Sequence, residues 1–218
     1  MAIDAQRQKI QDEILLAALP NVIFDGWTLD VMNQAAIDAG FETSMAVRAF
    51  PGGVDDFVLH FGNYVNRQML LKMEEADLEK MGVGPRIETA FRIRLEIEAP
   101  YKEAVRKATS YYALPQNVPS AVQMVWKAVD DIWWGCGDTS VDFNYYTKRT
   151  SLAAVYSATM LYWINDESEG DVETLLFLRR RLIDVVNAVK TRKEITGKIK
   201  DLFCKVTGQR PNTGLLKR

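Results

Sequence analysis

Apolar side chains recur along the chain at spacings of three and four residues, which is the period of a helix that buries one face. The alternation of apolar and polar residues that is typical of a strand is nearly absent. Such helical stretches follow one another over almost the whole chain, with no internal repeat. The pattern therefore predicts an all-α protein, built as a bundle of helices.

Proline, glycine and threonine mark the ends of the predicted helices. The first helix covers residues 6–19 and is expected to end at Pro20, because a proline removes one backbone donor. Thr28 is a good N-cap for the second helix, and Gly40 is suited to the left-handed position after its last turn. Further helices are expected to begin near three prolines, where the first turn tolerates them: Pro85, Pro100 and Pro119.

The order of the first elements resembles the DNA-binding head of TetR-family regulators. In that head a short third helix, here residues 45–50, enters the major groove. We therefore predict a helix-turn-helix-like head at 1–72, a ligand-binding and dimerisation body at 73–190, and an amphipathic helical tail at 191–218.

The charge of the head disfavours a role in DNA binding. Residues 1–72 carry 5 basic and 9 acidic side chains, and the candidate recognition helix offers only Arg48. Affinity for DNA depends on neutralising phosphates with lysine and arginine. We therefore predict no nucleic-acid partner, and a repressor that responds to an apolar effector stays as the alternative function.

Residue types that carry catalysis are scarce. The chain has a single histidine, His60, for which we expect a packing or surface role, and two cysteines, Cys136 and Cys204, without metal-binding spacing. No phosphate-binding loop or serine-nucleophile motif is present. The sequence therefore predicts a protein that is not an enzyme and has no cofactor or metal site, although turnover of its own bound lipid is a rival interpretation.

Three segments strongly resemble the family of coenzyme Q biosynthesis protein nine: residues 18–27 (ALPNVIFDGW), 137–149 (GDTSVDFNYYTKR) and 161–170 (LYWINDESEG). The resemblance runs from about residue 10 to residue 190. It implies a TetR-like fold, a homodimer, an isoprenoid lipid in the body, and assistance to the di-iron hydroxylase that acts on demethoxyubiquinone. The chain departs from the family at Tyr145, where tryptophan is usual.

A group of large apolar side chains in the body is the candidate lipid site. Aromatic and methionine side chains at helical spacing form an ordinary core in many proteins, but they also suit an elongated apolar ligand. We expect an isoprenoid, a quinone lipid or a phospholipid as the occupant. The candidate residues are Phe91, Leu95, Tyr112, Trp126, Trp133, Trp134, Tyr156 and Met160.

A polar and aromatic cluster in the 137–149 segment is the candidate docking patch for the hydroxylase. Tyrosine and arginine are enriched at interface positions that dominate binding. The structural alternative is that Asp142 favours the helix dipole and Arg149 pairs with a carboxylate of the body. The candidate residues are Asp142, Asn144, Tyr145, Tyr146, Lys148 and Arg149.

The end of the chain is predicted to bind a membrane surface. Residues 179–218 carry 12 basic and 3 acidic side chains, so an apolar helical face there is flanked by positive charge, as in interfacial membrane helices. Docking of this helix on its own body is the alternative. The candidate residues are Ile195, Lys198, Ile199, Leu202, Phe203 and Val206.

The expected location follows from these features. The start, MAIDAQRQK, has neither the apolar core of a secretory signal nor the character of a mitochondrial presequence. We therefore expect a cytoplasmic or already processed protein, peripheral on the inner membrane, which would be the mitochondrial one in a eukaryote. A broad apolar band over residues 175–189 predicts a homodimer through the last two helices of the body.

Overall fold

The computed structural model describes residues 2–140 and 143–188, which fold as α-helices joined by short turns, with no strand in these two ranges. The all-α prediction is thereby confirmed. The predictions for Asp142 and for the tail residues 191–218 concern residues outside these two ranges. The helices are α1 (Ala2–Asp25), α2 (Leu29–Asp38), α3 (Ser44–Ala49), α4 (Val54–Glu75), α5 (Val83–Glu98), α6 (Lys102–Tyr112), α7 (Val118–Gly135), α8 (Phe143–Trp163) and α9, which runs over 172–188.

The first helix is longer than the sequence pattern predicts. It passes through Pro20 and ends only at Asp25, so the predicted end at residue 19 is wrong. Pro20 itself is exposed, whereas Leu19 and Val22 on either side of it are fully buried. Burial of these two side chains in the core offsets the backbone hydrogen bond that the proline removes.

Both ends of α2 follow the predicted chemistry. The Oγ1 atom of Thr28 accepts a hydrogen bond from the backbone N–H of Val31 at 3.2 Å. At the other end Gly40 takes a positive φ of 84°, and the N–H of Phe41 donates to the carbonyl of Ala36 at 2.9 Å. This pattern satisfies carbonyl groups that the last turn would otherwise leave without donors.

Trp27 joins the head to the body. Its indole Nε1 donates to the backbone carbonyl of Ala104 on α6 at 3.0 Å, and its ring centroid lies 5.2 Å from Phe57 and 5.3 Å from Phe61 on α4. One continuous core therefore runs from the head into the body. In this core α4 packs against α5 and α7, and α7 packs against α8.

Among the helices of residues 2–140 and 143–188, none combines the length and the apolar character needed to cross a bilayer.

Candidate functional site

An apolar cavity of about 290 Å³ lies between five helices, α4 to α8, of which α4 falls mostly in the segment predicted as the head. It extends to the protein surface at Leu161, whose side chain is 53% exposed. Most of its wall is hydrocarbon, which favours an apolar occupant. The lining residues are Val58, Phe61, Gly62, Arg94, Glu98, Val105, Ala108, Thr109, Tyr112, Ala113, Ala121, Met124, Val125, Tyr156, Ser157, Met160 and Leu161.

Small residues leave the room that the cavity occupies. Ala108 on α6 and Ala121 on α7 both line it, and neither fills the space between the helices. Gly62 lets α4 approach α7 closely, because a Cβ atom at this position would lie 3.2 Å from the Cγ atom of Met124. The cavity is therefore bounded by helices, of which α4 and α7 pack closely at its edge.

One wall of the cavity carries a buried ion pair. Arg94 Nη2 lies 3.1 Å from Glu98 Oε1, and Arg94 Nη1 donates to Asn66 Oδ1 at 2.5 Å. The guanidinium also lies 5.2 Å from the ring centroid of Tyr156. Burial raises the pKa of Glu98, and the positive charge of Arg94 opposes that rise. The pair places two charges beside an otherwise apolar space.

Five of the eight predicted lipid-binding residues are buried in this region. Tyr112, Tyr156 and Met160 line the cavity. Phe91 and Leu95 on α5 are fully or nearly fully buried in the adjoining core, and the ring of Phe91 lies 5.8 Å from that of Tyr156. The structure thus brings the predicted residues of α5, α6 and α8 together.

The three predicted tryptophans of α7 lie outside the cavity. On this helix Ala121, Met124 and Val125 face the cavity, and Trp126 is one residue further, so it turns about 100° toward the outside. Trp133 is half-buried, with the Nζ atom of Lys148 5.2 Å from its ring centroid, and Trp134 is 59% exposed.

Trp126 instead joins the two adjacent tyrosines of α8 in an aromatic cluster. Its ring centroid lies 6.5 Å from Tyr145 and 6.4 Å from Tyr146, and the two tyrosine centroids are 5.1 Å apart. Tyr146 is 60% exposed, whereas Tyr145 is half-buried and its hydroxyl donates to Asp130 at 3.1 Å. We name these three residues the aromatic patch.

Arg149 lies behind the aromatic patch in a network of carboxylates. Its Nε atom donates to Asp130 Oδ1 at 2.5 Å, and its Nη1 atom donates to Asp138 Oδ2 at 3.1 Å. Lys148 and Ser140 donate to Asp138 as well, at 2.6 and 2.8 Å. Burial tends to raise the pKa of Asp138, but hydrogen bonds from Lys148, Ser140 and Arg149 outweigh it and hold that pKa below its ordinary value.

This network separates the predicted docking residues into two groups. Tyr146 and Asn144 are exposed on α8, so a partner can reach them. The side chain of Arg149 is only 4% exposed and its guanidinium is occupied within the protein, which is the arrangement of the structural alternative. Lys148 is partly exposed and bound to Asp138.

His60 also forms a structural contact. Its Nε2 atom lies 2.7 Å from Asp12 Oδ1 on α1, and Arg67 contacts the same oxygen. Burial lowers the pKa of His60, and Asp12 opposes part of that shift. Among the residues that the structure describes, no cluster of histidine, cysteine and carboxylate side chains has the arrangement of a metal site.

Arg94 and Glu98 are the charged residues of the cavity wall, and the sequence prediction of the lipid site did not include them. The two charged positions are four apart on α5 and continue the apolar stripe of Ile87, Phe91 and Leu95. A charged pair on the buried face of a helix is itself a signal, because burial of unpaired charge is costly. That signal was available in the sequence.

Comparison with known proteins identifies the family of the chain. The family model described as COQ9 matches residues 118–189, which include α7, α8 and the described part of α9. The ubiquinone biosynthesis protein COQ9, mitochondrial, of Homo sapiens is 33% identical over 195 residues, and the protein of that name from Drosophila melanogaster is 36% identical over 188 residues. The chain belongs to the COQ9 family.

The matches differ in how much of each protein they cover. They span 86% and 84% of this chain, but only 61% of the human protein and 56% of the Drosophila protein. The TetR transcriptional regulator from Nitrosomonas europaea ATCC 19718 is a solved structure with the same fold: its TM-score is 0.66 at 19% identity, and the match covers 82% of this chain and 98% of that one. The predicted TetR-like fold is thereby confirmed.

The network around Arg149 predicts a large and pH-dependent contribution to stability. Replacing Arg149→Leu removes the guanidinium from Asp138, which keeps its other two hydrogen bonds, so we expect a loss of about 1.5 to 3 kcal/mol in the free energy of unfolding at pH 7. Because the pKa of Asp138 is lower in the folded protein, this contribution is present above the ordinary carboxyl pKa of about 4 and disappears as the pH falls through the lower, folded value.

Urea denaturation of the wild type and the variant between pH 7 and pH 3 measures this effect. Arg179→Leu is the matched control, because Arg179 pairs with Glu88 at the exposed surface and we expect little change there. A difference between wild type and Arg149→Leu that stays constant down to pH 3 would contradict the assignment.

Proposed function

We propose that this protein is a non-catalytic accessory factor of ubiquinone biosynthesis, which binds an isoprenoid or quinone lipid and presents it to the di-iron hydroxylase of demethoxyubiquinone at a membrane. Membership of the COQ9 family supports the pathway. The observation that carries the proposal is the apolar cavity between α4 and α8.

The size of the cavity suits the head of such a lipid better than its whole length. An apolar cavity of about 150 Å³ accommodates a benzene molecule, so about 290 Å³ holds a ring and the first part of a prenyl chain. The rest of a long chain then leaves through the opening at Leu161. Burial of the ring and first isoprene unit supplies the affinity, since each methylene removed from water contributes about 0.8 kcal/mol.

The cavity and the surface groove beside the aromatic patch share part of their lining. Gly62 and Met124 line the cavity and also line a surface groove that contains Trp126. The flexible methionine side chain is thus the barrier between the bound lipid and the aromatic patch. A hydroxylase docked on Tyr146 and Trp126 would receive its substrate across this barrier.

The tail completes the proposed route at the membrane. Residues 191–218 combine apolar positions with an excess of lysine and arginine, which favours binding to an anionic bilayer surface. The lipid could then enter the protein without crossing water. The curated relatives carry the word mitochondrial in their names, and for a eukaryotic chain the bilayer would be the mitochondrial inner membrane.

A homodimer through α8 and α9 is part of the proposal. Both helices leave apolar side chains in contact with solvent, which is unusual unless a partner covers them. A second copy would bury the same face on both subunits by two-fold symmetry. The exposed side chains are Tyr162, Val172, Leu176, Ile183 and Val186.

A repressor with an apolar effector is the alternative function that the shared fold suggests. The charge of the head argues against this alternative. In the described structure α3 presents Arg48 as its one basic residue, and Glu42 precedes the helix. Phosphate contacts therefore contribute little, and we favour a head that has no role in DNA binding.

Filling the cavity is expected to weaken lipid binding. Ala121→Phe places a ring where the lipid lies, and displacing about two methylene-sized groups costs about 1.6 kcal/mol, or roughly tenfold in affinity. Titration calorimetry with a short-chain prenylquinone measures the loss. Ala5→Phe, at an exposed position of α1 away from the cavity, is the matched control and keeps wild-type affinity. Equal affinities of Ala121→Phe and the wild type would refute the cavity as the lipid site.

Removing an exposed ring of the aromatic patch is expected to weaken docking of the hydroxylase. Tyr146→Ala deletes a 60% exposed ring, and loss of such an anchor costs about 2 kcal/mol, or roughly thirtyfold in affinity, without lowering the thermal midpoint. Surface plasmon resonance with the purified di-iron hydroxylase gives the affinity. Trp134→Ala is the matched control, because it removes an equally exposed ring on α7 that is not part of the aromatic patch. A similar loss of affinity in both variants would argue against the aromatic patch.

A further inference from the structure

Three residues that line the apolar cavity carry buried polar atoms without hydrogen-bond partners. Glu98 Oε2, Arg94 Nε and the hydroxyl of Tyr112 are all buried, and none of them has a hydrogen-bond partner within residues 2–140 and 143–188. All three residues line the cavity, with exposed fractions of 3%, 1% and 8%. Buried polar groups are normally satisfied, so three such residues around one cavity need an explanation.

The position of these groups indicates a single polar subsite. Glu98 follows Arg94 by one helical turn on α5, and the two are joined by an ion pair. The guanidinium of Arg94 lies 5.2 Å from the ring centroid of Tyr156 on α8, and Tyr156 lines the same cavity as Tyr112 on α6. Helices α5 and α6 therefore bring an acceptor, a donor and a hydroxyl to the wall of one cavity.

The chemistry of the subsite selects among apolar ligands. A carboxylate oxygen beside an arginine accepts hydrogen bonds and donates none, so Glu98 Oε2 requires a donor on the ligand. Tyr112 and Arg94 Nε can donate to an oxygen of the ligand. A phenolic hydroxyl meets both requirements at once, because it donates one hydrogen bond and accepts others.

Other lipid heads fit this subsite less well. A hydrocarbon satisfies none of the three groups, and an oxidised quinone has acceptors only, which leaves Glu98 Oε2 without a partner. A phosphate head brings negative charge against Glu98 in a buried space, where repulsion is weakly screened. The subsite thus favours a ring that carries a free hydroxyl.

We propose that Glu98 and Tyr112 form the head-group subsite of the cavity and select a prenylated phenol or hydroquinone over the oxidised quinone. This inference rests on the proposed function, since it assigns the cavity to a prenylated ring. The phenolic hydroxyl donates to Glu98 Oε2 and accepts from Tyr112. The prenyl chain then extends through the apolar part of the cavity toward Leu161.

Titration calorimetry with two matched probes tests the subsite: para-geranylphenol and its methyl ether, which keeps the oxygen and loses the donor. We expect wild type to bind the phenol about tenfold more tightly than the ether, the size of one hydrogen bond to a charged acceptor. Glu98→Gln is expected to abolish this preference. Tyr112→Phe is expected to weaken both probes by several-fold, and the matched control Tyr111→Phe, whose ring does not line the cavity, leaves both unchanged.

The outcomes separate this inference from the proposed function. Tight binding of both probes with equal affinity would overturn the subsite and leave the apolar cavity as a lipid site. Failure of both probes to bind wild type would overturn the proposed function as well. Tyr112→Phe preserves the Arg94–Glu98 pair, so it gives an answer even where Glu98→Gln fails to fold.

Discussion

The buried pair of Arg94 and Glu98 is the interaction on which the architecture of the body depends. Removing two charges from water is costly, and fixed partners that form hydrogen bonds with them offset part of the cost. Arg94 finds those partners in Glu98 on its own helix, Asn66 on α4 and the ring of Tyr156 on α8. One guanidinium thus fixes three of the five helices that surround the cavity.

This constraint gives the cavity two chemically different parts. The part near Arg94 and Glu98 carries charge, whereas most of the remaining wall is hydrocarbon, and Leu161 at its edge is exposed. An amphiphile with a polar ring and an apolar chain has the same division. The aromatic patch lies on the outer side of α7 and α8, so the proposed lipid site and the proposed docking patch use different faces of the same two helices.

Much of the fold could be predicted from the sequence because local chemistry determines it. Thr28 and Gly40 define the ends of α2 through hydrogen bonds within a few residues, and these predictions are confirmed. The extension of α1 through Pro20 could not be predicted in the same way, since it depends on burial of Leu19 and Val22 against distant helices.

The kind of site could be predicted from the sequence, but not every residue that lines it. Helical spacing was enough to bring Tyr112, Tyr156 and Met160 together, because each lies on the buried face of its own helix. Trp126 is one position away from that face, and a rotation of 100° separates a cavity residue from a surface residue. Arg94 and Glu98 were missed although they lie on the same buried face of α5, because the sequence prediction was based on apolar and aromatic positions.

The central claim is that the body holds a prenylated ring inside its apolar cavity. Native mass spectrometry of the full chain, purified without detergent from cells that make ubiquinone, tests this claim most directly. We expect a bound species that is released on collisional activation and has the mass of a prenylated phenol or hydroquinone. A spectrum that contains only the mass of the bare polypeptide, with no lipid in the organic extract of the same sample, would contradict the account.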